Sequence, residues 1–353
     1  CNSRNIRNAP KLATRSIARR VSTVGRRRLD VARVPRERGL VRANIRRAKS
    51  PPARMRASSH FYCGTSMQNS RMLTPPAAFD ISAKTHNPNA GLRGNYADMT
   101  TDFTVTQQMT DYTADEQARW LRLVTRQLAL IPTRACQAFI DAVAKLDMQR
   151  GIPDFAAVNV ALKAATDWQL VAVPGLLPDD VFFTHLANRR FPVTVWLRSE
   201  AEFDYIVEPD IFHDFFGHVP MLFTPVYADH LQAYGHGALK AKRLGGLDWL
   251  ARLYWYTIEF GLIRENGEIK AYGAGVLSSP KELIYALESS APKRAPFDVM
   301  TIMRTPFLID DVQNAYFILE SFEQLRHDTA PDFTPHYAAL RADFPDAFGA
   351  AAT

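Results

Sequence analysis

Glu208-Pro209-Asp210-Ile211-Phe212-His213-Asp214-Phe215-Phe216-Gly217-His218-Val219-Pro220 is the chemically densest stretch of the chain. Two histidines stand five residues apart among apolar side chains. Imidazole nitrogen suits iron, zinc and copper, and two histidines with one carboxylate leave open positions on a non-haem ferrous ion. An ideal α-helix turns by about 140° over five residues and would aim the two rings apart. The pair converges only if the helix ends or deforms between them, and Gly217 and Pro220 stand where that would happen. The competing reading is a pair of histidines satisfied by ordinary hydrogen bonds.

A third ligand has to come from elsewhere. Further along runs Leu253-Tyr254-Trp255-Tyr256-Thr257-Ile258-Glu259-Phe260-Gly261-Leu262, with Glu259 as a lone carboxylate among aromatic and aliphatic residues. A buried carboxylate is held either by a partner cation or by a metal. Spacing alone leaves both readings open.

Around these segments the composition is that of an ordinary globular protein, 47% hydrophobic and 22% charged over 353 residues. No stretch approaches the roughly 20 consecutive apolar residues that span a bilayer. Three scattered cysteines support neither a disulfide framework nor a cysteine zinc site, which suits a reducing, cytoplasmic setting. The net charge of +7 divides unevenly. Residues 1–72 hold 19 Lys or Arg against Asp30 and Glu37, a balance of +17, and the remainder carries −10. The acidic remainder argues against a nucleic-acid-binding catalytic domain.

The Arg-rich residues 1–72, broken by Pro10, Pro35, Pro51 and Pro52, read as a disordered extension. The segment suits a targeting peptide, a contacting arm, or sequence ahead of a later start at Met67, Met72 or Met99. Residues 73–101 form a polar lead-in, 102–330 the catalytic domain and 331–353 a C-terminal tail. Apolar periodicity predicts helices over 113–129, 133–148, 154–165, 179–188, 226–242, 247–264, 280–289 and 312–326. On the first, Trp120, Leu121, Val124 and Leu128 form the inward stripe. Short strands are expected at 169–173 and 192–197. The expected fold is mainly α with a few short β-strands in a single domain.

The two histidines, the run through Glu259, and Ala271-Tyr272-Gly273-Ala274-Gly275-Val276-Leu277-Ser278-Ser279 together resemble the pterin-dependent aromatic amino acid hydroxylases, above all the short bacterial phenylalanine 4-hydroxylases. The resemblance spans residues 102–326. It implies His213, His218 and Glu259 as ligands of Fe(2+), a tetrahydropterin of the tetrahydrobiopterin kind as electron donor, and O2 as co-substrate. Arg198 would grip the substrate carboxylate, with Ser278 in support; the competing role for Arg198 is a structural ion pair, for instance with Glu208. Pro209 and Trp255 would flank the substrate ring; without the resemblance Trp255 would be read as core. Gly175, Leu176 and Leu177, in Val173-Pro174-Gly175-Leu176-Leu177-Pro178, match the pterin loop. Phe182 matches its stacking ring, Tyr254 a tyrosine near iron and pterin, and Asp214 a carboxylate that animal enzymes carry as Glu.

The apolar run Tyr316-Phe317-Ile318-Leu319, expected on a helix beside the pocket, favours L-phenylalanine over tyrosine or tryptophan. A hydroxylase of tyrosine or tryptophan is the alternative within the family. Outside it stand a zinc hydrolase with Asp214 as base and a non-catalytic binding protein. No C-terminal heptad helix is evident, so a monomer is expected.

Overall fold

A computed structural model describes residues 93–344 apart from 207, 309–310 and 330–331. The expectations for residues 1–72 and for most of the lead-in therefore lie outside the described residues.

Helix α1 (Ala114–Leu130) starts at a capping box: Glu116 N–H donates to the Thr113 hydroxyl, and Thr113 N–H donates back to the Glu116 carboxylate. It buries Trp120, Leu123, Val124 and Gln127, whereas Leu121 and Leu128 are only partly covered. The inward face is thus rotated from the expected stripe towards Gln127, whose side-chain amide donates to the Leu277 carbonyl at 2.6 Å. Pro132 closes the helix into a 3-10 turn (Ile131–Thr133). The long helix expected over 133–148 is the shorter α2 (Gln137–Val143) followed by a separate turn at Met148–Arg150.

Helix α3 (Phe155–Thr166), capped by Asp154, leads into β1 (Gln169–Val173). After α4 (Asp179–Ala187), β2 (Arg190–Thr194) pairs parallel to β1, Gln169 opposite Arg190 and Val173 opposite Thr194. The second strand begins two residues earlier than expected and leaves 195–198 as an extended arm.

Downstream come a π-helical turn (His213–His218), α5 (Val219–Leu222), α6 (Pro225–Arg243) and α7 (Leu247–Tyr254). The helix expected over 247–264 is three things. It is α7, a second π-helical turn (Trp255–Glu259), and β3 (Leu262–Glu265). Strand β4 (Glu268–Ala271) folds back on β3 through Asn266 and Gly267, both at positive φ (52° and 83°), a backbone that suits a tight hairpin. Helices α8 (Ala274–Ser278) and α9 (Pro280–Glu288), strand β5 (Lys293–Pro296) and α10 (Val299–Arg304) follow.

The helix expected over 312–326 is incorrect. Its first half is strand β6 (Ala315–Leu319), central in a sheet of order β4-β3-β6-β5, and only its second half is helical, in α11 (Phe322–Asp328). A strand covered on both faces shows a continuous apolar run, and such a run has no period to separate it from a buried helix. Within the expected C-terminal tail, α12 (Thr334–Asp343) buries Tyr337 and Leu340. The described residues share one hydrophobic core, and none of their helices is long and apolar enough to cross a membrane.

Candidate active site

Both segments that carry the expected metal ligands are π-helical turns. In the first, hydrogen bonds close at i→i+5, so the residue five positions on returns to nearly the same face. His218 is thereby brought beside His213, with ring centroids 5.2 Å apart and planes at 80°. Gly217 makes room: a Cβ there would come within 2.9 Å of both the Cβ and the carbonyl oxygen of Ala274 on α8. In the second turn the Phe260 N–H donates to the Trp255 carbonyl at 2.8 Å, five residues back, and Glu259 lies at its end.

His213 Nε2 and His218 Nε2 face the two Glu259 oxygens at 3.5 and 3.2 Å. One atom from each side chain lies within 4.8 Å of the others. Donors that share one ion at about 2.1 Å and at right angles sit roughly 3 Å apart, so these donors fit a single cation. Two imidazoles and a carboxylate on one side of the ion leave its remaining positions open.

The electrostatics agree with a site built for a cation. Burial pushes His213 down to about 4. Burial also opposes protonation of His218, but the adjacent Glu259 carboxylate outweighs it and raises that imidazole. Burial works against the Glu259 charge, and the two histidines overcome it and hold the carboxyl below its ordinary range. Asp214, half-buried, is pushed up to about 7 by desolvation while accepting the Thr194 N–H at 2.8 Å.

Ser278 Oγ lies 2.9 Å from His213 Nδ1. The hydroxyl orients the imidazole so that Nε2 points at Glu259, the supporting contact that a ligating histidine needs. Arg198 does not pair with Glu208. Its Nε and Nη2 donate to the two oxygens of Asp210 at 2.9 and 2.8 Å, with both side chains nearly excluded from solvent. The same Asp210 accepts the backbone N–H groups of Arg198 (2.9 Å) and His213 (3.0 Å). It therefore ties the arginine arm to the start of the metal turn, and breaking such a buried pair costs about 3–5 kcal/mol. Asp210 was missed in the sequence; an enclosed arginine requires a carboxylate, and this one lies three residues before His213.

Trp255 stacks between Phe260 and Phe307, at 4.9 and 4.4 Å, while Pro209 directly precedes Asp210 in the chain. On another side, Phe182 of α4 meets the Tyr254 ring edge-on at 5.9 Å. Gly175, Leu176 and Leu177 occupy the loop between β1 and α4. Sequence reading also missed Arg93, Tyr96 and Trp196, which contact that loop or its neighbours.

Residues 85–338 match the family model described as biopterin-dependent aromatic amino acid hydroxylase. Phenylalanine-4-hydroxylase of Ralstonia nicotianae is 57% identical over 240 residues, 68% of this chain and 77% of the relative. That of Chromobacterium violaceum is 52% identical over 265 residues, 75% of this chain and 88% of the relative. An iron- and phenylalanine-bound crystal structure of the Chromobacterium violaceum phenylalanine hydroxylase superposes with a TM-score of 0.66 at 51% identity, covering 75% of this chain and 94% of that one.

Proposed function

The chain belongs to the biopterin-dependent aromatic amino acid hydroxylases, and from that premise we propose that it is a phenylalanine 4-monooxygenase converting L-phenylalanine to L-tyrosine. One oxygen atom of O2 enters the ring and the other goes to a tetrahydropterin, which gives up two electrons. The observation that carries this reading is the convergence of His213, His218 and Glu259 on one point.

These three side chains hold Fe(2+) in this reading. When bound, the iron supplies, with the reduced pterin, the activation of O2 that hydroxylation of an unactivated ring requires. The protein's own residues bind, orient and exclude water. Arg198, braced by Asp210, takes the substrate carboxylate with its remaining donors. Trp255 and Pro209 flank the substrate ring, and the stack of Trp255 with Phe260 and Phe307 offers an apolar wall suited to an unsubstituted ring. The Phe182–Tyr254 corner and the loop through Gly175, Leu176 and Leu177 receive the flat pterin, together with Asp214. Ser278 acts through His213.

The test is anaerobic reconstitution with ferrous iron, followed by oxygen, a tetrahydropterin and each of the three aromatic amino acids, with products identified by mass. Tyrosine formed from phenylalanine, dependent on iron and not supported by zinc, is expected. Glu259→Ala should abolish tyrosine formation and iron retention while the far-ultraviolet circular dichroism stays that of the parent. Undiminished turnover by that variant would reject the ligand assignment.

The protein in this reading works in the cytoplasm as a monomer. Cys136 is a buried free thiol. Among the described residues, the exposed large apolar side chains Met109, Val160, Tyr205 and Ile284 belong to four separate parts of the chain. Sedimentation at micromolar concentration reads the oligomeric state directly.

A further inference from the structure

The loop between β1 and α4 is held from outside by a short segment the catalytic reading does not use. Gly94 lies against it so closely that a Cβ there would come within 1.8 Å of the Pro174 carbonyl oxygen. Gly94 also has φ +90°, a backbone that side chains rarely adopt, so this contact admits only glycine. Two residues on, the Tyr96 hydroxyl donates to the Leu176 carbonyl at 3.0 Å. Gly175 sits between these tethers, and a Cβ on it would meet the Tyr96 hydroxyl at 2.8 Å.

The same segment reaches the arm that carries Arg198. The Arg93 guanidinium lies 4.2 Å over the Trp196 ring, and the Trp196 indole N–H donates to the Pro174 carbonyl at 3.0 Å. Arg93 Nη1 also donates to both Glu202 oxygens at 2.6 and 2.7 Å. Glu202 in turn accepts the Ser199 N–H, the residue after Arg198. One four-residue strap thus bears on the carbonyls at 174 and 176 and, through Trp196 and Glu202, on residues either side of Arg198.

We infer that Arg93 and Tyr96 are positioning residues for the two organic substrates: Tyr96 sets the pterin loop, and Arg93 ties that loop to the amino-acid-binding arm. This rests on the pterin and carboxylate sites proposed above. Neither residue touches the metal ligands, so their loss weakens substrate binding without removing the ion. A carbonyl held by a hydroxyl cannot swing towards the pocket, and a loop with fewer accessible shapes loses less entropy when it binds a rigid heterocycle.

The experiment measures tetrahydropterin affinity by anaerobic calorimetry on the iron-loaded protein, and dihydropterin affinity on the iron-free protein. KM for each substrate, iron content and the thermal midpoint are read alongside. Tyr96→Phe should raise the pterin dissociation constant about five-fold, the equivalent of one neutral hydrogen bond, and leave the phenylalanine KM near the parent value. Arg93→Ala should raise both KM values about ten-fold. Arg93→Lys should fall between, because the ion pair survives and the flat stacking on Trp196 does not. In all three, iron content and kcat at saturation should stay at the parent level. Pterin affinity within two-fold of the parent in both Tyr96→Phe and Arg93→Ala overturns the inference, as does a lowered thermal midpoint with unchanged KM values. A parent protein that binds no pterin overturns the pterin reading itself and this inference with it.

Discussion

Ser278 and His213 show how much of the site hangs on single atoms. The hydroxyl 2.9 Å from Nδ1 leaves the ring one useful orientation, with Nε2 towards Glu259. Removing such an outer partner typically costs 10–100-fold in metal affinity. Ser278→Ala should therefore bind ferrous iron about 10–100-fold more weakly, measured by competition with a chelator, with the phenylalanine KM less affected than the iron affinity. An effect confined to the phenylalanine KM would return Ser278 to a direct role with substrate. Asp210 works in the same way on Arg198, and its two further backbone contacts make it a brace for the arm and for the metal turn together.

At the scale of elements, the two π-helical turns solve a geometric problem that an α-helix cannot. His213 and His218 share a face only because the turn between them is widened, and Glu259 sits at the end of a second widened turn. Widening brings the backbone close to α8, and Gly217 is the residue that permits it. Gly217→Ala forces the first turn and Ala274 apart and should destabilise the fold by about 1–3 kcal/mol, the usual cost of overpacking. Denaturant unfolding reads that loss, and iron retention should fall with it because His213 and His218, the proposed ligands, ride on the displaced turn. Full stability and full iron content in this variant would show that the turn yields without strain.

Elements with a polar face were legible in advance: α1 and α3 through their apolar periodicity, β1 through its β-branched run. The error at 315–319 has the opposite origin, since a segment buried on both faces carries no period.

For the molecule as a whole, buried histidines link stability to acid. His230 lies in the core with Nδ1 2.8 Å from the Thr329 hydroxyl, and burial pushes it from 6.5 down to about 3. The unfolded chain takes up this proton near its ordinary pKa, whereas the folded chain resists it until much lower pH. The stabilising effect is thus complete above pH 6.5 and is lost as pH falls towards 3. The loss should approach about 1.4 kcal/mol per pH unit below the unfolded pKa. In iron-loaded protein, unfolding free energy measured between pH 7 and pH 4 should fall more steeply for the parent than for His230→Gln. Equal slopes would place the acid sensitivity elsewhere.

The chain on its own pointed to the chemistry through its motifs. The His213–His218 segment, the run through Glu259 and residues 271–279 carry the resemblance that implies a ligand set, whereas spacing and burial cost alone left a metal and ordinary hydrogen-bond partners both open. The chain also determined the helical character, through apolar periodicity. Only the tertiary structure decided how the parts meet. It widened the turns that aim the histidines, chose Asp210 rather than Glu208 for Arg198, and turned 315–319 into a central strand. It also laid residues 93–96 across the loop after β1. Each of these depends on contacts between residues distant in sequence or on a backbone form that no local pattern encodes, and packing rather than propensity selects among them.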